Sequence, residues 1–279
     1  MSDESLIRLA AFIGVLAVMA LWQALLPRRE LSQGYRRWPA NLGIVVLDSL
    51  IVRLLFPAGA IGVALWAQQQ GFGLLNMVSL TPALSITLAV VLLDLAIYLQ
   101  HLLFHAVPTL WRLHMVHHAD RDIDVTTGLR FHPIEIVLSM LIKMGVVALL
   151  GAPALAVVIF EVILNAMAMF NHANVRLPLP LDTILRTLLV TPDMHRVHHS
   201  VIRRETNSNY GFNLSIWDRI FATYRAQPAA GHSGMTIGLS QFQHAPAHTL
   251  SWMLRLPFSG EMGQYPILKT DTGKGETDE

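Results

Sequence analysis

The stretch from Pro82 to His118 reads PALSITLAVVLLDLAIYLQ-HLLFH-AVPTLWRL-HMVHH, and its reading decides the fold. Residues 82–105 are mostly apolar, long enough to cross a bilayer as a helix, and carry one acidic residue, Asp94. The apolar run ends in histidines. His101 and His105 stand at i,i+4 spacing and so share one helix face. His114, His117 and His118 follow at i,i+3 and i,i+4, and a third group, His195-Arg-Val-His198-His199, repeats that spacing. Eight of the thirteen histidines therefore occupy 23 of 279 positions.

Composition agrees with a membrane protein. Hydrophobic residues make up 53% of the chain and charged residues 14%, against roughly 25% charged in soluble domains. The mean hydropathy is +0.47. A net charge of +1 leaves no basic field for nucleic acid. The absence of cysteine excludes disulfides, cysteine-ligated zinc and iron–sulfur clusters.

Working outward, residues 5–26 form a first span, about 33 Å long as a helix. A signal peptide is the weaker reading, because Asp3 and Glu4 replace a basic start. The loop 27–40 carries Arg28, Arg29, Arg36 and Arg37 against Glu30, which marks it as cytoplasmic. A second span is expected over 41–66, and an uncharged external loop over 67–80. Segments 134–150 and 154–171 flank Gly151-Ala152-Pro153 and are expected to form a helical hairpin. Residues 259–279 read as a loose tail. With 27–40 inside, every histidine falls on the same membrane face.

The expected fold is all-α: an integral membrane bundle of four to five spans with a cytoplasmic helical cap. The expected divisions are 1–80 (membrane helices and loops), 81–225 (the histidine domain, with hairpin 134–171) and 226–279 (a cytoplasmic tail).

One isolated histidine is ordinarily a hydrogen-bonded structural residue. Three clustered groups on one face reverse that reading. Protonated imidazoles repel one another, and a metal removes the repulsion by binding the neutral form. Imidazole ligands suit Zn, Cu, Fe or Ni, and so many of them imply two ions. No His-Glu pair occurs, so a zinc protease of the HExxH type lacks its base. A pair of irons activating O₂ is the better chemical fit. The spacing itself does not separate iron from zinc.

These motifs, placed between membrane spans, resemble the fatty acid hydroxylase/sterol desaturase superfamily. The resemblance covers about 90–225. It includes Asp94, Tyr98, Trp111, Arg130-Phe-His-Pro-Ile-Glu135, Asn171-His-Ala-Asn174, Thr-Pro-Asp-Met-His-Arg-Val-His-His, Asn209-Tyr-Gly-Phe-Asn and Trp217-Asp-Arg-Ile-Phe-Ala-Thr-Tyr224. Ala222 stands where such proteins often carry Gly. The resemblance implies a membrane di-iron oxidoreductase that uses O₂ and external electrons on lipid C–H bonds. Hydroxylation is expected first, with desaturation or ether-lipid cleavage as alternatives. It implies metal ligands at His101, His105, His114, His117, His118, His195, His198 and His199, and a further ligand at His172. His132 is either another ligand or a helix cap. No haem-binding domain is fused to this sequence, so a separate electron-transfer protein is expected, with lipid drawn from the bilayer. The expected location is a bacterial inner membrane. Rivals from other classes are a zinc-dependent membrane hydrolase and a metal-handling protein, since zinc can occupy such ligands.

Further expectations concern single residues and two short segments. Asp94 and Tyr98 share the face of His101 and His105 and could orient ligand rings. An ion pair of Asp94 with Arg53, at similar depth, is the preferred reading. Lys143 and Glu161 lie equally far from Ala152 and are expected to pair. Asp193 either bonds a ligand's far nitrogen or sits in a first helical turn. His232, His244 and His248 are given no ligand role. Residues 217–224 read as an amphipathic segment at the headgroups or over the site. Residues 239–258 read either as an interfacial segment or as packing on the cap.

Overall fold

The computed structural model describes residues 3–259 and 261–268, with no account of side chains at 3–5. Among these residues there are helices and no named strand. The order is α1 (Asp3–Leu25), α2 (Trp38–Leu55), α3 (Gly59–Gln69), α4 (Pro82–Ala106), α5 (Pro108–His118), α6 (Pro133–Leu150) and α7 (Ala154–His172). The cap adds α8 (Leu179–Leu185), α9 (Pro192–His198), α10 (Arg203–Thr206), α11 (Ile216–Ile220), α12 (Gly231–Gly234) and α13 (Leu250–Arg255). Five segments are long and apolar enough to cross a membrane: Leu6–Leu25, Gly34–Asn76, Pro82–Ala106, Pro133–Leu150 and Ala154–His172.

The second span differs from the continuous helix expected over 41–66. It breaks at Phe56-Pro57-Ala58, between α2 and α3. Proline disfavours helical backbone in the residue before it, and Phe56 accordingly sits at φ −130°, ψ 66°. Both halves pack on α6, while α1 and α4 pack on α7.

The expected hairpin forms. Gly151 closes α6 in the left-handed region, at φ 63°, as a C-terminal glycine commonly does. It meets the loop after α3, where a Cβ on Gly73 would fall 2.2 Å from Gly151 N. The 70–76 loop and the hairpin turn therefore share one end of the bundle, and the histidines lie at the other.

At the histidine end, Ile44, Trp111, Met115, Leu239, Phe242, Met253, Leu256 and Tyr265 form one buried cluster. Residues 239–258 thus pack on the cap through Phe242, Met253 and Leu256. The chain up to Leu268 also returns to α4, with Ile267 N donating to His105 O and Leu268 N to Ala106 O. Residues 261–268 are therefore docked, in contrast to the loose tail expected from their composition. The remainder of that tail, 269–279, lies outside the described residues.

Candidate metal centre

The bundle brings nine histidines together. Their candidate ligand atoms form two sets, each within 4.8 Å: His101, His105, His114, His118 and His198; and His117, His172, His195 and His199. All nine side chains are buried. Helix α4 supplies the first pair, α5 the next three, the last turn of α7 supplies His172, and α9 with its C-cap supplies the final three. The two sets adjoin, with the rings of His118 and His199 stacked at 4.7 Å and 18°.

The inward atoms are Nε2 throughout. His101 Nε2 lies 3.1 Å from Nε2 of both His114 and His198. His105 and His118 approach to 3.1 Å. His172 Nε2 faces His117 at 3.1 Å, His195 at 3.0 Å and His199 at 3.3 Å.

The outward nitrogens fix the tautomers of five rings. His101 Nδ1 donates to Tyr210 O at 2.8 Å, His172 Nδ1 to Ala168 O at 2.7 Å, and His198 Nδ1 to Ser208 O at 2.7 Å. A carbonyl oxygen only accepts, so these nitrogens carry the proton. His105 Nδ1 donates to Asn207 Oδ1 at 3.1 Å, and His114 Nδ1 to Glu135 Oε1 at 2.6 Å. The Nδ1 atoms of His117, His118, His195 and His199 have no protein partner.

Burial pushes His114 down to about 3, and burial followed by His101 pushes His198 well below the usual imidazole value. Burial also holds His117, His118, His195 and His199 well below it. Neutral rings with protonated Nδ1 leave bare lone pairs at Nε2 of His101, His114 and His198. Three such lone pairs converge within hydrogen-bond distance with no proton to share between them. A cation at that point turns the repulsion into ligation, so the residues fit a metal.

The loop after α5 is held by a buried charge network. Arg37 pairs with Asp120 and, at 2.6 Å, with Asp124. Burial raises the Asp120 carboxyl, but Arg37 and Arg130 together hold it below its usual value. Arg130 Nε donates to Val116 O at 2.7 Å, tying this network to α5.

Other singled-out residues lie elsewhere. His132 is outside the cluster: its Nδ1 accepts from Ile134 N at 3.2 Å and caps α6. Asp94 does not meet Arg53. Arg53 lies exposed on α2, which packs against α6 rather than α4, so equal depth brings no contact. Asp94 Oδ2 instead accepts from Trp217 Nε1 at 2.8 Å and Leu214 N at 3.2 Å. Tyr98 bonds Thr223 at 2.9 Å and stacks on Phe221. Neither residue bonds a ligand ring; both hold the 210–224 segment whose Tyr210 carbonyl orients His101. Asp193 also misses the rings. It binds Arg28 and Arg196 within the first turn of α9, which Thr191 caps. Lys143 and Glu161 do pair, at 2.6 Å, and Arg8 joins them at 2.9 Å.

Sequence reasoning missed the roles of Glu135, Asn207 and the carbonyls of Ala168, Ser208 and Tyr210. Glu135 alone had a visible signal, lying within Arg-Phe-His-Pro-Ile-Glu. The carbonyls carry no side-chain signature at all.

The helices long and apolar enough to cross a membrane close on two sets of buried imidazoles that could hold metal. Residues 86–223 match the fatty acid hydroxylase family. The chain thus carries a fatty acid hydroxylase domain and belongs to the superfamily its motifs resemble. It is 28% identical over 233 residues to the ornithine lipid hydroxylase OlsE of Rhizobium tropici, covering 78% of this chain and 66% of that protein. It is 32% identical over 152 residues to alkylglycerol monooxygenase of Homo sapiens, covering 54% of this chain and 33% of that protein. The Xenopus tropicalis alkylglycerol monooxygenase is 30% identical over 152 residues, with 54% and 32% covered. The chain spans less than two thirds of the OlsE protein's length and about one third of the monooxygenases'. No solved structure matches the chain.

Proposed function

We propose that this protein is a membrane-bound di-iron lipid hydroxylase. The observation that carries the reading is the convergence of nine buried Nε2 atoms in two adjoining sets. Two irons held by His101, His105, His114, His118 and His198 and by His117, His172, His195 and His199 would supply O₂ reduction with external electrons and oxidation of a lipid C–H bond. The chain's own residues prepare that chemistry. Tyr210 O, Ser208 O, Ala168 O, Asn207 and Glu135 hold five rings in the Nδ1–H tautomer, with Nε2 aimed inward. Burial of all nine rings keeps bulk water from the centre. The spans let an apolar chain approach laterally without crossing water.

The electron donor is a separate protein meeting the histidine face. That face is cytoplasmic by the arginines of 27–40, which share it, in a bacterial inner membrane. Hydroxylation stands ahead of desaturation because OlsE is a hydroxylase. Cleavage of an ether lipid by hydroxylation is the second reading, supported by the alkylglycerol monooxygenase relatives.

Anaerobic purification without added metal, followed by iron and zinc analysis and a Mössbauer spectrum, tests the centre. Near two irons per chain with a coupled diferric signal supports it. Zinc that persists after iron-supplemented expression overturns it in favour of hydrolysis or metal handling. Lipid product carrying ¹⁸O from ¹⁸O₂ rather than from H₂¹⁸O separates oxygenation from hydrolysis.

A further inference from the structure

The cap carries an apolar patch that its own core does not cover. On and just after α8, Leu179 is 72% exposed, Ile184 68% and Leu188 57%. On and just after α11, Ile216, Ile220 and Phe221 are exposed as well. The two short helices form one unit. Ser215 N donates to Leu188 O, and both Ser215 Oγ and Arg219 Nη2 donate to Arg186 O at 2.8 and 2.7 Å. Contiguous exposed apolar surface of this kind on a cap marks a partner surface.

The depth of the patch names the partner. Asp94 lies twelve residues before the end of α4, and Trp217 of α11 bonds it. At 1.5 Å per residue that is about 18 Å down a helix about 37 Å long, whereas a bilayer's hydrocarbon core is about 30 Å thick. Thr223, on Tyr98, is anchored about one turn nearer the histidine end. The α8–α11 unit is thus fastened beside a membrane-spanning helix, below the end that carries His101 and His105. Leu99 and Leu103, farther round α4, are exposed and apolar as well. Polar groups rim it: Arg176 is exposed, and the Arg219 guanidinium lies 4.0 Å over the Tyr224 ring.

We infer that α8 and α11 form an interfacial paddle, with Ile184, Leu188, Ile220 and Phe221 embedded among the acyl chains of the histidine-side leaflet and the arginines at its phosphates. The shape is that of an amphipathic element lying in the plane of the membrane. The paddle is joined to the metal centre by residues 207–215, whose Ser208 and Tyr210 carbonyls hold His198 and His101. The inference does not depend on the chemistry proposed above.

The chain has no cysteine, so single labels report one site each. Ile184→Cys and Ile220→Cys carry nitroxide labels in nanodiscs of phosphatidylcholine with phosphatidylglycerol. Leu50→Cys, exposed on α2, is the lipid reference, and Ala230→Cys, exposed on the cap, is the aqueous one. Collision with O₂ relative to a nickel chelate is expected to match Leu50→Cys and exceed Ala230→Cys several-fold. A nickel-accessible signal like that of Ala230→Cys overturns the inference. So does shielding from both reagents with dipolar coupling between labels, which would assign the patch to a second copy of the chain. All four sites are exposed, so folding is preserved, and size-exclusion elution verifies it.

Discussion

Glu135 Oε1 lies 2.6 Å from His114 Nδ1, with both side chains buried. The carboxylate holds the ring proton outward and leaves Nε2 facing His101. Such a partner typically governs metal affinity by about 10–100-fold. Glu135→Ala is therefore expected to weaken metal binding by about that much. Glu135→Gln keeps an acceptor oxygen and is expected to lose less. Retention of the bound metal against a chelator, measured for both variants, checks the order. Equal retention in Glu135→Ala and the unaltered protein would remove Glu135 from the site.

Lys143 and Arg8 converge on the single carboxylate of Glu161, joining α1, α6 and α7. Only one acid serves two cations, so the losses should not add. A double-mutant cycle on Lys143→Ala and Glu161→Ala in detergent is expected to show a coupling of about 0.5–3 kcal/mol. Additive losses would mean that the contact contributes nothing to stability.

Ala222 sits at φ 57°, in the left-handed region, just past α11. An L side chain there is strained by about 1–2 kcal/mol, and glycine's greater unfolded-state freedom offsets about half of that. Ala222 is also exposed, so no packing is lost on substitution. Ala222→Gly is expected to raise the midpoint of thermal unfolding by a few degrees, as scanning calorimetry can measure. A lowered midpoint would contradict the strain.

The metal-stripped protein should be acid-labile in a defined window. His114 titrates at about 3 in the folded state, and His117, His118, His195, His198 and His199 are also depressed, in each case first by burial. An unfolded histidine titrates near 6.5. Above that value neither state is protonated and these groups leave stability flat. As the pH falls below it, the unfolded chain takes up protons that the folded chain refuses. Stability then falls by about 1.4 kcal/mol per pH unit for each such histidine. Chelator-treated protein is expected to unfold at sharply lower temperature on acidification below about pH 6.5. A midpoint that stays constant as the pH is lowered well past that value would show that the cap rings are solvated.

How much of this was legible in the sequence differs by the range of the interaction. The span 82–105, the hairpin about Gly151 and the i,i+3 and i,i+4 histidines are local patterns. Helix periodicity, turn residues and hydropathy alone determine them. The Lys143–Glu161 pair was also readable, because a tight turn makes distance from Ala152 a measure of depth in both arms.

The rest depends on packing between segments far apart in the chain. Asp94 and Arg53 have comparable depth, yet depth says nothing about which helices are neighbours, and α6 rather than α4 packs on α2. The sorting of nine histidines into sets of five and four depends on how α4, α5, α7 and α9 converge. The groups that set the tautomers are mostly backbone carbonyls, which every residue possesses and no sequence distinguishes. Composition made residues 261–268 look loose, but Tyr265 is buried against Trp111. Residue type and spacing are enough to pick out the groups that could bind metal and to gather them at one end of the bundle. Which rings meet, and which nitrogen each one presents, came from long-range packing, because those contacts join residues far apart in the chain.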